Sequence, residues 1–138
     1  MVMMSYISMA QNQETAIKET VGTFFKAMYA RDSTLMKSTM HPSATLHSVN
    51  ISLGKDSKLD QTPMSAFYKA IANIKPEMKI EERLLDHKIM IDEDLATAWT
   101  PYEFYVNDKL SHKGTNVFTL VKLKGTWLIT AIIDTRKR

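Results

Sequence analysis

The sequence predicts an α+β fold, with three N-terminal helices packed on a curved antiparallel β-sheet built by the second half of the chain. Three observations carry this. Apolar residues recur at helical spacing as far as about residue 74. From Lys79 the period changes to that of strands. Those strands are separated by turn-type clusters, Asp92-Glu93-Asp94, Asn107-Asp108 and Lys124-Gly125, and tight turns join antiparallel neighbours into a meander.

Taken in order, residues 1–12 read as an unstructured lead-in and 13–138 as a single domain, since 138 residues suffice for one core. The first helix runs from about 13 to 30, with Ile17, Val21, Phe24, Phe25 and Met28 on one face and Lys18, Glu19 and Lys26 on the other. Asp32-Ser33 restarts a short helix bearing Leu35, Met36 and Met40, which His41-Pro42 stops. A short extended piece covers 44–49, and 54–62 reads as a surface loop. Thr62-Pro63 supplies the cap and first position of a third helix, whose Met64, Phe67, Ile71 and Ile74 point inward. Strands follow at about 79–91, 95–106, 110–123 and 126–135.

Composition narrows the function classes. The chain is 44% hydrophobic and 24% charged, ordinary for a globular protein. Its net charge of +3 is spread out except for the tail Arg136-Lys137-Arg138. The clustered Lys/Arg with interleaved aromatics of a nucleic-acid face is missing, so no nucleic-acid partner is expected. With no cysteine there is no disulfide, thiolate metal site or Cys nucleophile. Four histidines without close pairing give no metal site, and no cofactor is expected. Ten methionines suggest an adaptable interior. No run approaches the roughly 18–20 apolar residues of a membrane span, so no membrane partner is expected. A cytoplasmic location follows. Export is the alternative, because Ser8-Met9-Ala10-Gln11 is similar to the end of a signal-cleavage region, although the basic and apolar regions before it are absent.

The last hairpin decides which polar residues look inward. A two-residue loop at Lys124-Gly125 would give Lys a positive φ, so a three-residue loop, Leu123-Lys124-Gly125, with Gly in the left-handed position is expected. That register sets Leu120 opposite Leu128, Asn116 opposite Ile132 and Gly114 opposite Asp134. His112, Asn116, Asp134 and Arg136 then share a face with Phe118. Asn107-Asp108 suits a two-residue turn that sets Glu103 opposite His112 and Trp99 near Asn116. Pro101, without an N–H, calls for a bulge between them.

The functional reading is a pocket in which His112 is the general acid or base, poised by Asp134 or Glu103, with Asn116 donating to a ligand. Tyr29, His47, Trp99, Tyr102, Phe118 and Arg136 complete the candidate lining, the aromatics supplying apolar bodies with polar tips. The competing reading is a structural network, in which Asp134 bonds Arg136 or a turn and His112 sits in water. Both faces of the last two strands are apolar, and three short helices cover one, so a second copy is expected on the other as a homodimer through the sheet.

Helix, short helix, His-Pro-x-Ala, loop, helix and four-stranded meander is an order that resembles the nuclear-transport-factor-2-like superfamily. Phe24-Phe25 with Tyr29 and Asp32, then Met40-His41-Pro42-Ser43-Ala44, carry the likeness locally. Trp99-Thr100-Pro101-Tyr102-Glu103-Phe104-Tyr105, Ser111-His112-Lys113-Gly114 and Ile133-Asp134-Thr135-Arg136 are similar to small bacterial members described as SnoaL-like or "putative lumazine-binding". The resemblance implies a cystatin-like cone, an α+β barrel around a central pocket. It does not imply a reaction, because this fold hosts many chemistries. Ketosteroid isomerases of the superfamily carry a carboxylate base on the strand after the second helix, whereas 44–49 holds His47 and Ser48 and no acid. Three readings stand: a dimeric cone binding a small apolar or aromatic molecule; a cofactor-free lyase, isomerase or cyclase using His112 and Asp134; and a structural or protein-interaction domain.

Overall fold

The computed structural model describes residues 3–138, with side chains from residue 9 onward. Helix α1 (Met3–Ala30) buries the stripe Ile17, Val21, Phe24, Phe25 and Met28 that the periodicity marks. Its start corrects the expected lead-in, since the helix is continuous from Met3. No Gly or Pro interrupts 3–12, so a helix nucleated by its packed turns extends backwards one hydrogen bond at a time. Residues 9–12 are exposed, and they therefore carry no apolar period. Met1 and Val2 lie outside the described residues.

Arg31 closes α1 with φ +57, and the Asp32 N–H donates to the Ala27 carbonyl at 2.9 Å. Asp32 then caps α2 (Ser33–Ser38) by accepting from the Leu35 N–H at 2.9 Å.

After α2 come β1 (Met40–Ile51), β2 (Lys58–Thr62), α3 (Met64–Ala72), β3 (Ile80–Leu84), β4 (Lys88–Asp92), β5 (Leu95–Val106), β6 (Lys109–Leu123) and β7 (Thr126–Lys137). They form one sheet in the order β2-β1-β7-β6-β5-β3, with β4 also on β5. The meander is antiparallel as expected, but β1 lies parallel to β7, so the sheet is mixed. It is also open rather than a closed barrel, because β2 and β3 end the order.

Several element boundaries differ from expectation. Helix α2 ends at Ser38, so Met40, His41 and Pro42 open β1 instead of closing the helix, and the extended piece expected at 44–49 is longer at both ends. The stretch expected as a loop at 54–62 yields β2, paired antiparallel to residues 46–50. A polar edge strand has no buried face and so leaves no apolar alternation. Thr62 ends β2, and Pro63 takes the cap position of α3 without a side-chain bond. The strand expected at 79–91 is broken into β3 and β4, both on β5. The break falls beside Pro101, which has no N–H to give; only its carbonyl is used, accepting from the Leu85 N–H at 2.8 Å.

The hairpins fix the inner face. Asn107 and Asp108 both take positive φ in the expected two-residue turn. Lys124-Gly125 is also a two-residue turn, with φ +50 and +80, which corrects the three-residue loop. A single non-Gly residue in the left-handed region costs about 1–2 kcal/mol, and the primed turn offsets this by matching the strand twist. The extra residue appears further on instead. Leu120 pairs with Ile129 but Thr119 with Ala131, so Thr130 is a bulge. Beyond it Asn116 stands opposite Asp134, not Ile132. The parity is the same as in the expected register, so His112, Asn116, Phe118 and Asp134 still share a face.

The core sits between that face and the helices. Phe118 meets Phe24 and Phe25 edge-on, each at 5.9 Å between ring centres.

Candidate functional site

Between the concave face and helices α1 and α3 lies a cavity of about 230 Å³. Phe24, Phe25 and Met28 of α1, with Phe67, Ile71 and Ile74 of α3, form its apolar wall. Its polar end consists of Glu82 from β3, His112 and Asn116 from β6, and Asp134 and Arg136 from β7.

The register builds a buried polar row behind this end. Ser48, Asp134, Asn116 and Thr100 stand in line across β1, β7, β6 and β5, and all four are buried. The Asp134 Oδ2 accepts from the Arg136 Nε at 3.2 Å, while its Oδ1 is buried without a partner among the described residues, as is the Thr100 hydroxyl. Unpartnered buried oxygens of this kind are rare in folded chains.

Glu82 is the residue that the sequence reading missed. It occupies the middle of Ile80-Glu81-Glu82-Arg83-Leu84, where strand alternation puts Ile80, Glu82 and Leu84 on one face. That a carboxylate sits in phase with two apolar neighbours was the available signal. The Asn116 Nδ2 donates to its Oε1 at 2.7 Å. The Tyr29 hydroxyl donates to the Glu82 carbonyl at 2.5 Å and accepts from the Glu82 N–H at 3.2 Å, holding the strand from α1. Burial, with a smaller push from Asp134, drives the Glu82 carboxyl up to about 7 against the Asn116 hydrogen bond and the charge of Arg136.

His112 is partly buried, stacked on Phe104 at 4.8 Å and edge-on to Tyr102 at 5.7 Å. Burial and then the Arg136 charge hold its pKa below the ordinary histidine range, with Asp134 pulling the other way. Among the described residues no hydrogen bond joins His112 to Asp134.

Of the sequence candidates, His112, Asn116, Phe118, Tyr102, Asp134 and Arg136 all border the cavity. Tyr29 does not; it anchors β3 behind Glu82. His47, Trp99 and Glu103 lie on the outer face. His47 is paired with Ile133, next to the inward Leu46. Glu103 faces Lys113 rather than His112, because Ser111 forms the bulge that was expected near Pro101. The same shift sets Trp99 opposite Val117, where it is 50% exposed. Among the described residues no group of His, Asp and Glu is placed to hold a metal ion, and no helix is long and apolar enough to cross a membrane.

Gly114 shapes the polar end. A Cβ there would lie 1.9 Å from the Thr135 carbonyl oxygen, so β6 and β7 approach this closely only over glycine. Opposite it, the Tyr102 hydroxyl donates to the same carbonyl at 2.7 Å.

Helices closing an open sheet over an internal cavity define the nuclear-transport-factor-2-like, or cystatin-like, class of proteins. Solved structures bear this out. A nuclear-transport-factor-2-like protein of unknown function from Shewanella baltica is 22% identical, with a TM-score of 0.68 over 92% of this chain and 95% of that one. One from Methylobacillus flagellatus is 20% identical, with a TM-score of 0.65 over 92% and 94%. A putative dehydratase of the same fold from Streptomyces avermitilis is 12% identical, with a TM-score of 0.70 over 94% and 99%. Among curated proteins no match to this sequence is found. The chain belongs to the family described as "Putative lumazine-binding", which matches residues 12–132.

Proposed function

We propose that the protein binds a small, largely apolar, planar molecule in the cone. The observation that carries this is the cavity itself, about 230 Å³ with aromatic and aliphatic walls and polar groups gathered at one end. A shape of this kind buries a flat ring while a few polar groups fix its orientation. The volume lies below the ~300–1,000 Å³ of drug-sized sites, which points to a molecule of one or two rings. The family description is consistent with a ligand of this size. The test is calorimetric titration with bicyclic aromatics against the wild type and Ile71→Trp, which fills the cavity from α3. Loss of binding in the folded variant supports the proposal, and binding that survives the filling contradicts it.

The enzyme reading, a lyase, isomerase or cyclase using His112 and Asp134, is less well supported, since Asp134 bonds Arg136 and not His112. His112→Ala and Asp134→Asn test it: a turnover found in the wild type and kept by both variants removes it. We also propose that a second copy covers the outer face, where Trp99 and Ile133 are 50% and 44% exposed on central strands.

A further inference from the structure

We propose that the polar end of the cone selects planar heterocycles whose edge carries N–H donors over molecules of the same shape that lack them, and that Glu82 makes the selection. This rests on the small-molecule reading above and specifies its ligand. At that end Glu82 keeps an open acceptor, while two of the nearest donors are already engaged. The Asn116 amide nitrogen donates to Glu82, and among the described residues its carbonyl oxygen accepts no hydrogen bond. The Tyr102 hydroxyl proton goes to Thr135. The Arg136 Nε is on Asp134, with the guanidinium at the partly exposed rim.

Set against these are two acceptors, the second oxygen of Glu82 and the Asn116 carbonyl; the Asp134 Oδ1, buried without a partner among the described residues, lies closed off behind them. A ligand edge that donates meets the open lone pairs of Glu82, and an edge without N–H groups leaves them unanswered. Tyr29 bonds both the N–H and the carbonyl of Glu82 and so fixes its backbone, while the Asn116 amide holds the carboxyl itself.

Selection of this kind depends on pH. The groups around Glu82 are Tyr29 on α1, Tyr102 on β5, His112 and Asn116 on β6, and Asp134 and Arg136 on β7. With the carboxyl titrating at about 7, its ionised fraction rises about ten-fold between pH 6 and 8. The affinity for a donating edge rises with it.

The test uses two probes of one shape that do not titrate in this range. Benzimidazol-2-one carries two N–H groups where 2-indanone carries two methylenes. Calorimetry at pH 8 is expected to show benzimidazol-2-one binding at least about ten-fold tighter, with the advantage shrinking toward pH 6 and Glu82→Gln flattening that dependence. Equal affinity of the two probes for the wild type at pH 8 overturns the proposal, as does a preference that Glu82→Gln leaves unchanged. Failure of both probes to bind overturns the small-molecule reading as well, so the two failures are distinct. The wild-type comparison stands whether or not the variant folds.

Discussion

The Asn116 side-chain amide donates to the Glu82 carboxylate across 2.7 Å, linking β6 to β3 over the intervening β5. Side chains two strands apart meet only on the concave side of a curved sheet, so this bond reports the curvature and marks the polar end of the cavity together.

Glu82 makes stability depend on pH. Its carboxyl titrates at about 7 in the folded chain, against an ordinary value of 4.5. The folded state therefore holds its proton longer. The stabilisation is complete below about pH 4.5 and is lost as pH rises through 7, amounting to about 3 kcal/mol across that window. Urea unfolding at pH 5 and pH 8 is expected to show this fall in the wild type and a shallower one in Glu82→Gln. Equal slopes would refute it.

Thr100→Val is expected to stabilise the fold by about 1 kcal/mol, because it removes a fully buried hydroxyl that has no partner among the described residues and keeps the shape. A midpoint shift in denaturant at constant slope is the readout. A loss of stability would mean that the hydroxyl has a partner in solution, such as an ordered water.

Gly114→Ala meets the Thr135 carbonyl at 1.9 Å, so β6 and β7 must part. A destabilisation of about 1–3 kcal/mol is expected, along with loss of the Tyr102–Thr135 hydrogen bond. Hydrogen exchange localised to β7 would separate this from a general loosening.

Gln13→Ala leaves the indole N–H of the buried Trp127 without the acceptor it now has at 3.0 Å. A loss of about 1–3 kcal/mol is expected from thermal unfolding. No change would mean that water replaces the amide.

Ile133→Glu places a charge at the centre of the outer face. If a second copy covers that face, sedimentation will show a dimer for the wild type and a monomer for the variant, with the circular dichroism unaltered. A wild-type monomer at micromolar concentration ends that proposal.

Much of the fold was legible in the sequence because its signals are local. The α1 stripe, the Asp32 cap and the Asn107-Asp108 turn each depend on a few adjacent residues. The parallel docking of β1 on β7 was not legible, since it joins residues more than eighty positions apart and has no turn to announce it. The candidate site was half legible. His112, Asn116, Phe118 and Asp134 share a face because a bulge at Thr130 restores the parity that the shorter turn removes, so the expected grouping arises by a different route. Trp99 and Glu103 were lost to a second bulge at Ser111, which nothing in the local sequence demands. Glu82 was visible as an acid in phase with Ile80 and Leu84, but pairs of acids on strands are usually solvent-facing, and Arg83 beside it is in fact bonded to the outward Glu81.

The central claim, a ligand site in the cone with Glu82 and Asn116 at its polar end, is tested most directly by NMR titration with benzimidazol-2-one at pH 8. The account predicts that saturable shift changes concentrate at the Asn116 side-chain amide, the Glu82 carboxyl and the Phe118 and Ile132 signals. Changes confined to the outer-face residues Trp99, Val117 and Ile133, or no saturable change anywhere, would contradict it.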